Sequence, residues 1–123
     1  KEPASLLDLY PTLIELSNLP KNDRLEGGSL VPQLNDPNAA RKQPAITSSY
    51  FGNHSIRTRD WRLISYEDGS RELYDHRTDP DEFVNLAKDR KHQAVIKRLA
   101  KWLPKKAAPE FKEKSERLRA RKK

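Results

Sequence analysis

Between Tyr50 and Ile64 the chain packs an aromatic pair, a Gly-Asn turn, a histidine and three arginines into a stretch the length of one hairpin. The guanidinium fork of Arg57, Arg59 or Arg62 suits a planar or tetrahedral oxyanion, and a turn histidine, His54, can hydrogen-bond a polar substrate. The chemistry on offer is anion recognition. The same pattern also arises when arginine stems lie along a solvated sheet face with no ligand at all.

Other chemistries find less support. His54, His76 and His92 have no HxH or HxxxH spacing, so no metal site is expected within this chain. The acidic run Asp79, Asp81, Glu82 has Val84 and Arg90 where a calcium loop needs Gly and Glu, and reads instead as a turn capping a short helix closed by Asn85-Leu86. Thr47, Ser48 and Ser49 lack a nucleophile elbow, and Gly27-Gly28-Ser29 lacks the lysine of a phosphate loop. With no cysteine, disulfides, thiol nucleophiles and thiolate metal sites are excluded. No catalytic residue is assigned.

The elements that position this hairpin follow from periodicity. Leu6, Leu9, Tyr10, Leu13 and Leu16, with Leu7 and Ile14, make a helical stripe within residues 1–20. Ser5 is its expected N-cap with Asp8 at N3, Pro11 kinks or restarts it, and Asn18 closes it. So wide a stripe calls for a larger apolar partner than the remaining chain supplies. Residues 21–44 read as a connector with one helical turn at 29–34 anchored by its leucines. Short alternating runs at 45–51, 55–59, 61–66 and 71–75 read as strands, the last two joined by a two-residue turn at Asp68-Gly69. A helix over 93–103, with Val95, Ile96, Leu99, Trp102 and Leu103 on its apolar face, ends at Pro104. The expected fold is α+β: a small antiparallel sheet of about four strands with a packed C-terminal helix and an N-terminal helix.

At 123 residues the chain makes one small domain, and its mean hydropathy of -1.00 leaves part of it unpacked. Its net charge of +7 is concentrated in residues 105–123, where nine Lys or Arg face three Glu, against sixteen basic and fifteen acidic residues elsewhere. A body so close to neutral has no electrostatic reason to bind nucleic acid across its surface. The alternative reading is a basic module using that tail on nucleic acid or an anionic glycan. No run reaches the length of a membrane span, so no membrane partner is expected. The first residues, Lys1-Glu2-Pro3, carry neither an initiator Met nor an apolar signal segment, as in a processed chain or a piece of a longer one.

Ser5-Leu6-Leu7-Asp8-Leu9-Tyr10-Pro11-Thr12-Leu13, Gly28-Ser29-Leu30 with Leu34, Ser55 to Ile64, Glu72-Leu73-Tyr74-Asp75, and Asp79-Pro80-Asp81-Glu82 with Asn85-Leu86 occur in an order and spacing that resemble the C-terminal part of a type I sulfatase. The resemblance covers residues 4–104 and is nearest to the bacterial iduronate-2-sulfatase-like group of the alkaline-phosphatase superfamily. It implies a parent sulfuric ester hydrolase, periplasmic or secreted, whose large α/β domain carries a formylglycine and a calcium ion. The formylglycine motif, C/S-x-P/A-x-R, is absent here, so the resemblance implies no cofactor in this chain and no activity for it alone. It further divides the chain into a helix at the junction with the missing N-terminal catalytic domain (1–20), a connector (21–44), the sulfatase C-terminal subdomain (45–104) and a basic tail (105–123). Its partners are then that domain and a sulfated glycan, and His54 and Arg57 are the residues expected to touch a sugar sulfate.

Overall fold

Ser5 and Asp8 start the first element by capping each other. In the computed structural model, which describes residues 2–105, the Ser5 hydroxyl accepts from the Leu7 N–H at 3.3 Å and the Asp8 carboxylate accepts from the Ser5 N–H at 2.7 Å. A 3-10 turn, Leu6–Asp8, leads into helix α1, Leu9–Leu16. Pro11 falls in the first turn of α1, where its missing N–H has no helical partner to lose, so the helix restarts rather than kinks. Asn18, at φ 51°, closes α1, with its own N–H on Glu15 O and the Leu19 N–H on Ile14 O.

The connector is fastened to this helix by a buried ion pair. Asp8 is 1% exposed, and its Oδ2 meets Arg41 Nη2 at 2.9 Å while its Oδ1 accepts from the Gly28 N–H at 3.0 Å. Arg41 also donates to Pro3 O, and Thr12 Oγ1 donates to Asp8 O while accepting from the Leu30 N–H. Every charge taken out of water here is thereby paired. The connector lies so close to the helix that a Cβ on Gly27 would come within 2.0 Å of Leu7 O. Helix α2, Val31–Asn35, supplies the expected single turn, but Leu34 is exposed and the anchor is Leu30 through its backbone.

Strands β1 (Ala45–Ser49), β2 (Asn53–Arg57), β3 (Trp61–Ser65) and β4 (Arg71–Asp75) pair antiparallel in the order β1-β2-β3-β4. The register sets Ile46 opposite Ile56, Ile56 opposite Leu63 and Leu63 opposite Leu73, so one face is apolar. Helix α3, Gln93–Ala100, lays Ile96 and Leu99 on that face, and the six-residue core of Ile56, Trp61, Leu63, Leu73, Ile96 and Leu99 is the result. This is the α+β arrangement the periodicity predicts. Arg77 lies over the Trp61 ring at 5.1 Å and His92 tilts against it at 5.5 Å, closing one end of the core.

Three local expectations give way. The β3–β4 connection runs over five residues, 66–70, rather than two: the Gly69 N–H bonds Tyr66 O, only Gly69 takes positive φ (83°) and the Asp68 carboxylate accepts from the Ser70 N–H at 2.8 Å, whereas a two-residue I′ turn needs both residues left-handed. Asp79 starts no helix: its two oxygens accept from the Phe83 and Val84 N–H groups, which folds the segment into a loop. Asn85 and Leu86 instead bond the edge of β4, through Leu73 N to Asn85 Oδ1 and Leu86 N to Leu73 O. Helix α3 stops at Ala100, leaving Trp102 beyond its end and 41% exposed. Residues 106–123 of the basic tail, on which the alternative reading rests, lie outside the described residues.

The apolar stripe of the first helix finds only part of its cover. Ile14 and Thr12 are buried, but Leu6, Leu7, Leu9, Tyr10, Leu13, Leu16 and Leu19 are all more than half exposed. A contiguous apolar face of this size marks an interaction surface.

Candidate functional site

The sheet face opposite the core is polar and organised. Ser55 and Arg57 on β2 and Arg62 on β3 alternate out of phase with Ile56 and Leu63, so they project there. Arg62 Nη1 meets both Glu82 oxygens, at 2.9 and 3.0 Å, and its Nε donates to Ser55 Oγ at 3.0 Å. Glu82 also takes His76 Nε2 at 2.6 Å, and the other ring nitrogen, Nδ1, lies 2.8 Å from Arg57 Nη2.

A guanidinium can only donate, so His76 Nδ1 accepts and its proton sits on Nε2, facing Glu82. The result is a directional chain from Arg57 through His76 to Glu82 and Arg62. Glu82 holds this place at φ 63°, a left-handed backbone that a residue with a Cβ adopts at a cost. Burial, and then the charge of Arg62, hold the Arg57 guanidinium below its ordinary value, with Glu82 and Asp60 acting the other way. Arg57 Nη1 donates to the carbonyls of Thr58, Arg59 and Trp61, so this side chain also ties the β2–β3 turn.

His54 lies elsewhere. Three residues from Arg57 on the same strand, it projects from the opposite face, and its Nδ1 pairs with Ser48 Oγ across the β1–β2 ladder at 2.8 Å. Nε2 is left as the nitrogen open to a further partner. Ser48 itself lines an open cleft of about 930 Å³ between the sheet and the first helix, together with Leu6, Leu7, Ile46 and Trp102. Structure therefore joins Arg57 to Arg62 but does not bring His54 to either. Arg59 pairs with Glu2 at 2.8 Å, near the chain's start.

His76 and Glu82 escaped the sequence reading. Their partners are six to twenty residues away and meet only through the register of the sheet, so no local spacing signals them.

Among the described residues no group of three or more His, Cys, Asp or Glu can hold a metal ion, and the sequence contains no cysteine. The polar face is an ion-paired lattice whose carboxylates already face arginines. What it can do is shape and stiffen a surface, while His54, on the other face of the sheet, is able to meet a polar ligand.

Residues 2–108 match the family described as N-sulphoglucosamine sulphohydrolase, C-terminal. A sulfatase of Formosa agariphila is 39% identical over 103 residues, covering 84% of this chain and 20% of its own length. Arylsulfatase K of Bos taurus is 32% identical over 98 residues, covering 68% and 18%. A protein solved in complex with its substrate D-glucosamine-2-N,6-O-disulfate superposes with a TM-score of 0.60 at 25% identity, covering 76% of this chain and 22% of that one. The chain thus spans about a fifth of the length of the relatives it matches.

Proposed function

Because this chain belongs to the family of N-sulphoglucosamine sulphohydrolase C-terminal domains, we propose that it is the C-terminal part of an enzyme hydrolysing sulfate esters of sugars. Its residues complete the fold and edge the substrate cleft, and the chain alone is inactive. The observation that carries the reading is the family match along residues 2–108. The exposed face of Leu6, Leu9, Tyr10, Leu13 and Leu16 supports it, since a catalytic domain N-terminal to this chain is the partner that would cover an apolar helix of that width. In this reading residues 1–20 form the junction, 21–44 the connector, 45–104 the C-terminal subdomain and 105–123 a tail.

The finer features are ours to propose as well. A sulfated glycan as substrate draws support from the structural neighbour solved with a disulfated glucosamine. Placement in the iduronate-2-sulfatase-like group rests on the ordered motifs of residues 4–104 alone. His54, through its free Nε2, touches the sugar sulfate or a neighbouring hydroxyl, and Arg57 contributes a cation fixed beside the rim. The calcium and formylglycine of the parent lie outside this chain. A periplasmic or secreted location follows the same family reading; within the described residues no helix is long and apolar enough to cross a membrane.

Reading the coding DNA upstream of Lys1, with the intact mass of the native polypeptide, tests this. An in-frame C/S-x-P/A-x-R motif followed by acidic metal-binding segments is the expected result. A native polypeptide that starts at Lys1 would end the catalytic reading for this molecule.

A further inference from the structure

The tip of the β1–β2 hairpin is built in a way that core packing does not explain. Ser49 pairs with Asn53, so the loop is Tyr50-Phe51-Gly52. Tyr50 is 93% exposed and sits at φ 55°, where a Cβ is disfavoured, while Gly52 takes φ 76°. The tip is nevertheless braced. Asn53 Oδ1 accepts from the Glu67 N–H at 3.1 Å, and a Cβ on Gly52 would come within 2.9 Å of Glu67 Cβ, so the two hairpin ends lie against each other. A strained backbone thus holds a large aromatic ring out in solvent on a buttressed turn.

What surrounds the ring indicates what it meets. At the same hairpin end the Ser48–His54 pair projects from one sheet face and Ser49 and Asn53 from the other, with Glu67 on the neighbouring turn. A solvent-exposed aromatic ring two residues from a serine–histidine pair matches a pyranose, whose C–H face stacks on the ring while a hydroxyl meets the imidazole. An apolar protein surface would cover the open His54 Nε2 without giving it a partner.

We propose that Tyr50 is a specificity-determining residue that stacks on a pyranose ring of the substrate beside His54. This rests on the sulfated-sugar reading above. It makes the hairpin tip the part of this chain that distinguishes a sugar sulfate from a small aryl sulfate.

The experiment uses the full-length enzyme carrying this chain, with a sulfated glucosamine disaccharide and p-nitrophenyl sulfate as the two substrates. In Tyr50→Ala the ratio of kcat/KM for the disaccharide to that for the aryl ester is expected to fall about five- to tenfold, the size of one lost aromatic contact. The change should lie in KM, and Tyr50→Phe and Tyr50→Trp, which keep a ring, should hold the ratio within about twofold. An unchanged ratio in Tyr50→Ala would overturn the proposal, as would an equal loss on both substrates with a lowered Tm, which marks a packing residue. If the wild type releases sulfate from no sulfated sugar, the functional reading fails instead, so the two failures are distinct.

Discussion

Glu82 Oε1 receives His76 Nε2 at 2.6 Å and Arg62 Nη1 at 2.9 Å, so one carboxylate oxygen joins a loop to the outer face of the sheet. The backbone under that carboxylate is left-handed, at φ 63°. Side-chain gain and backbone cost therefore oppose each other at one residue.

Substitution separates them. Glu82→Ala loses the ion pair and keeps the strain, and is expected to cost about 1–3 kcal/mol. Glu82→Gly loses the same contacts and relieves the strain, so it should cost about 1 kcal/mol less. Urea unfolding of both variants measures the difference, and equal losses would mean that the left-handed backbone carries no cost here.

The Asp8–Arg41 pair gives a second ordering. Removing Asp8 strands a buried guanidinium and orphans the N–H groups of Ser5 and Gly28, so Asp8→Ala should cost about 3–5 kcal/mol. Arg41→Met leaves Asp8 with both backbone donors and should cost less. The reverse order in chemical denaturation would show that the cap matters less than the connector's own packing.

Gly27 and Gly69 separate close approach from conformation. A Cβ at Gly27 meets the Leu7 carbonyl at 2.0 Å, whereas at Gly69 it meets nothing within 4 Å and only φ 83° opposes it. Gly69→Ala should cost about 1 kcal/mol. Gly27→Ala should cost several times more and pull the connector off the helix, which a loss of amide protection at Gly28 and Leu30 would report.

Alkaline titration reaches the outer face through Tyr74. Burial first, then its hydrogen bond to Glu72 at 2.9 Å, push its phenol up to about 12. An unfolded tyrosine titrates near 10, so this raised value favours the folded state below about pH 10, and the benefit erodes as pH climbs toward 12. Tyr74→Phe should flatten the decline of Tm over that interval, and absorbance at 295 nm should lose its latest-titrating phenol.

Where one residue type met one local rule, the fold was legible in the sequence. Ser5 and Asp8 announced their capping box, Asn18 its helix end, and alternation around Ile56, Leu63 and Leu73 the sheet. What escaped depends on competition between neighbours: Asp79 takes two backbone N–H groups and prevents the helix it was expected to start, and Asp68 bonds Ser70 within a longer turn rather than forming a two-residue one. At the site, the arginine-rich hairpin stood out, but the roles of its arginines did not. Arg57 and Arg62 face His76 and Glu82 only because the strands and the following loop bring them there. The exposed leucines of the first helix were legible as a surplus of apolar surface, and the structure leaves that surplus uncovered.

In the proposed function this chain completes a sulfatase without supplying its chemistry. Release of inorganic sulfate from a sulfated glucosamine disaccharide, by the full-length gene product and separately by the 123-residue chain, tests it most directly. The account predicts sulfate from the full-length protein and none from the chain alone. Sulfate release by the isolated chain, or a folded full-length protein that leaves every sulfated sugar intact, would contradict it.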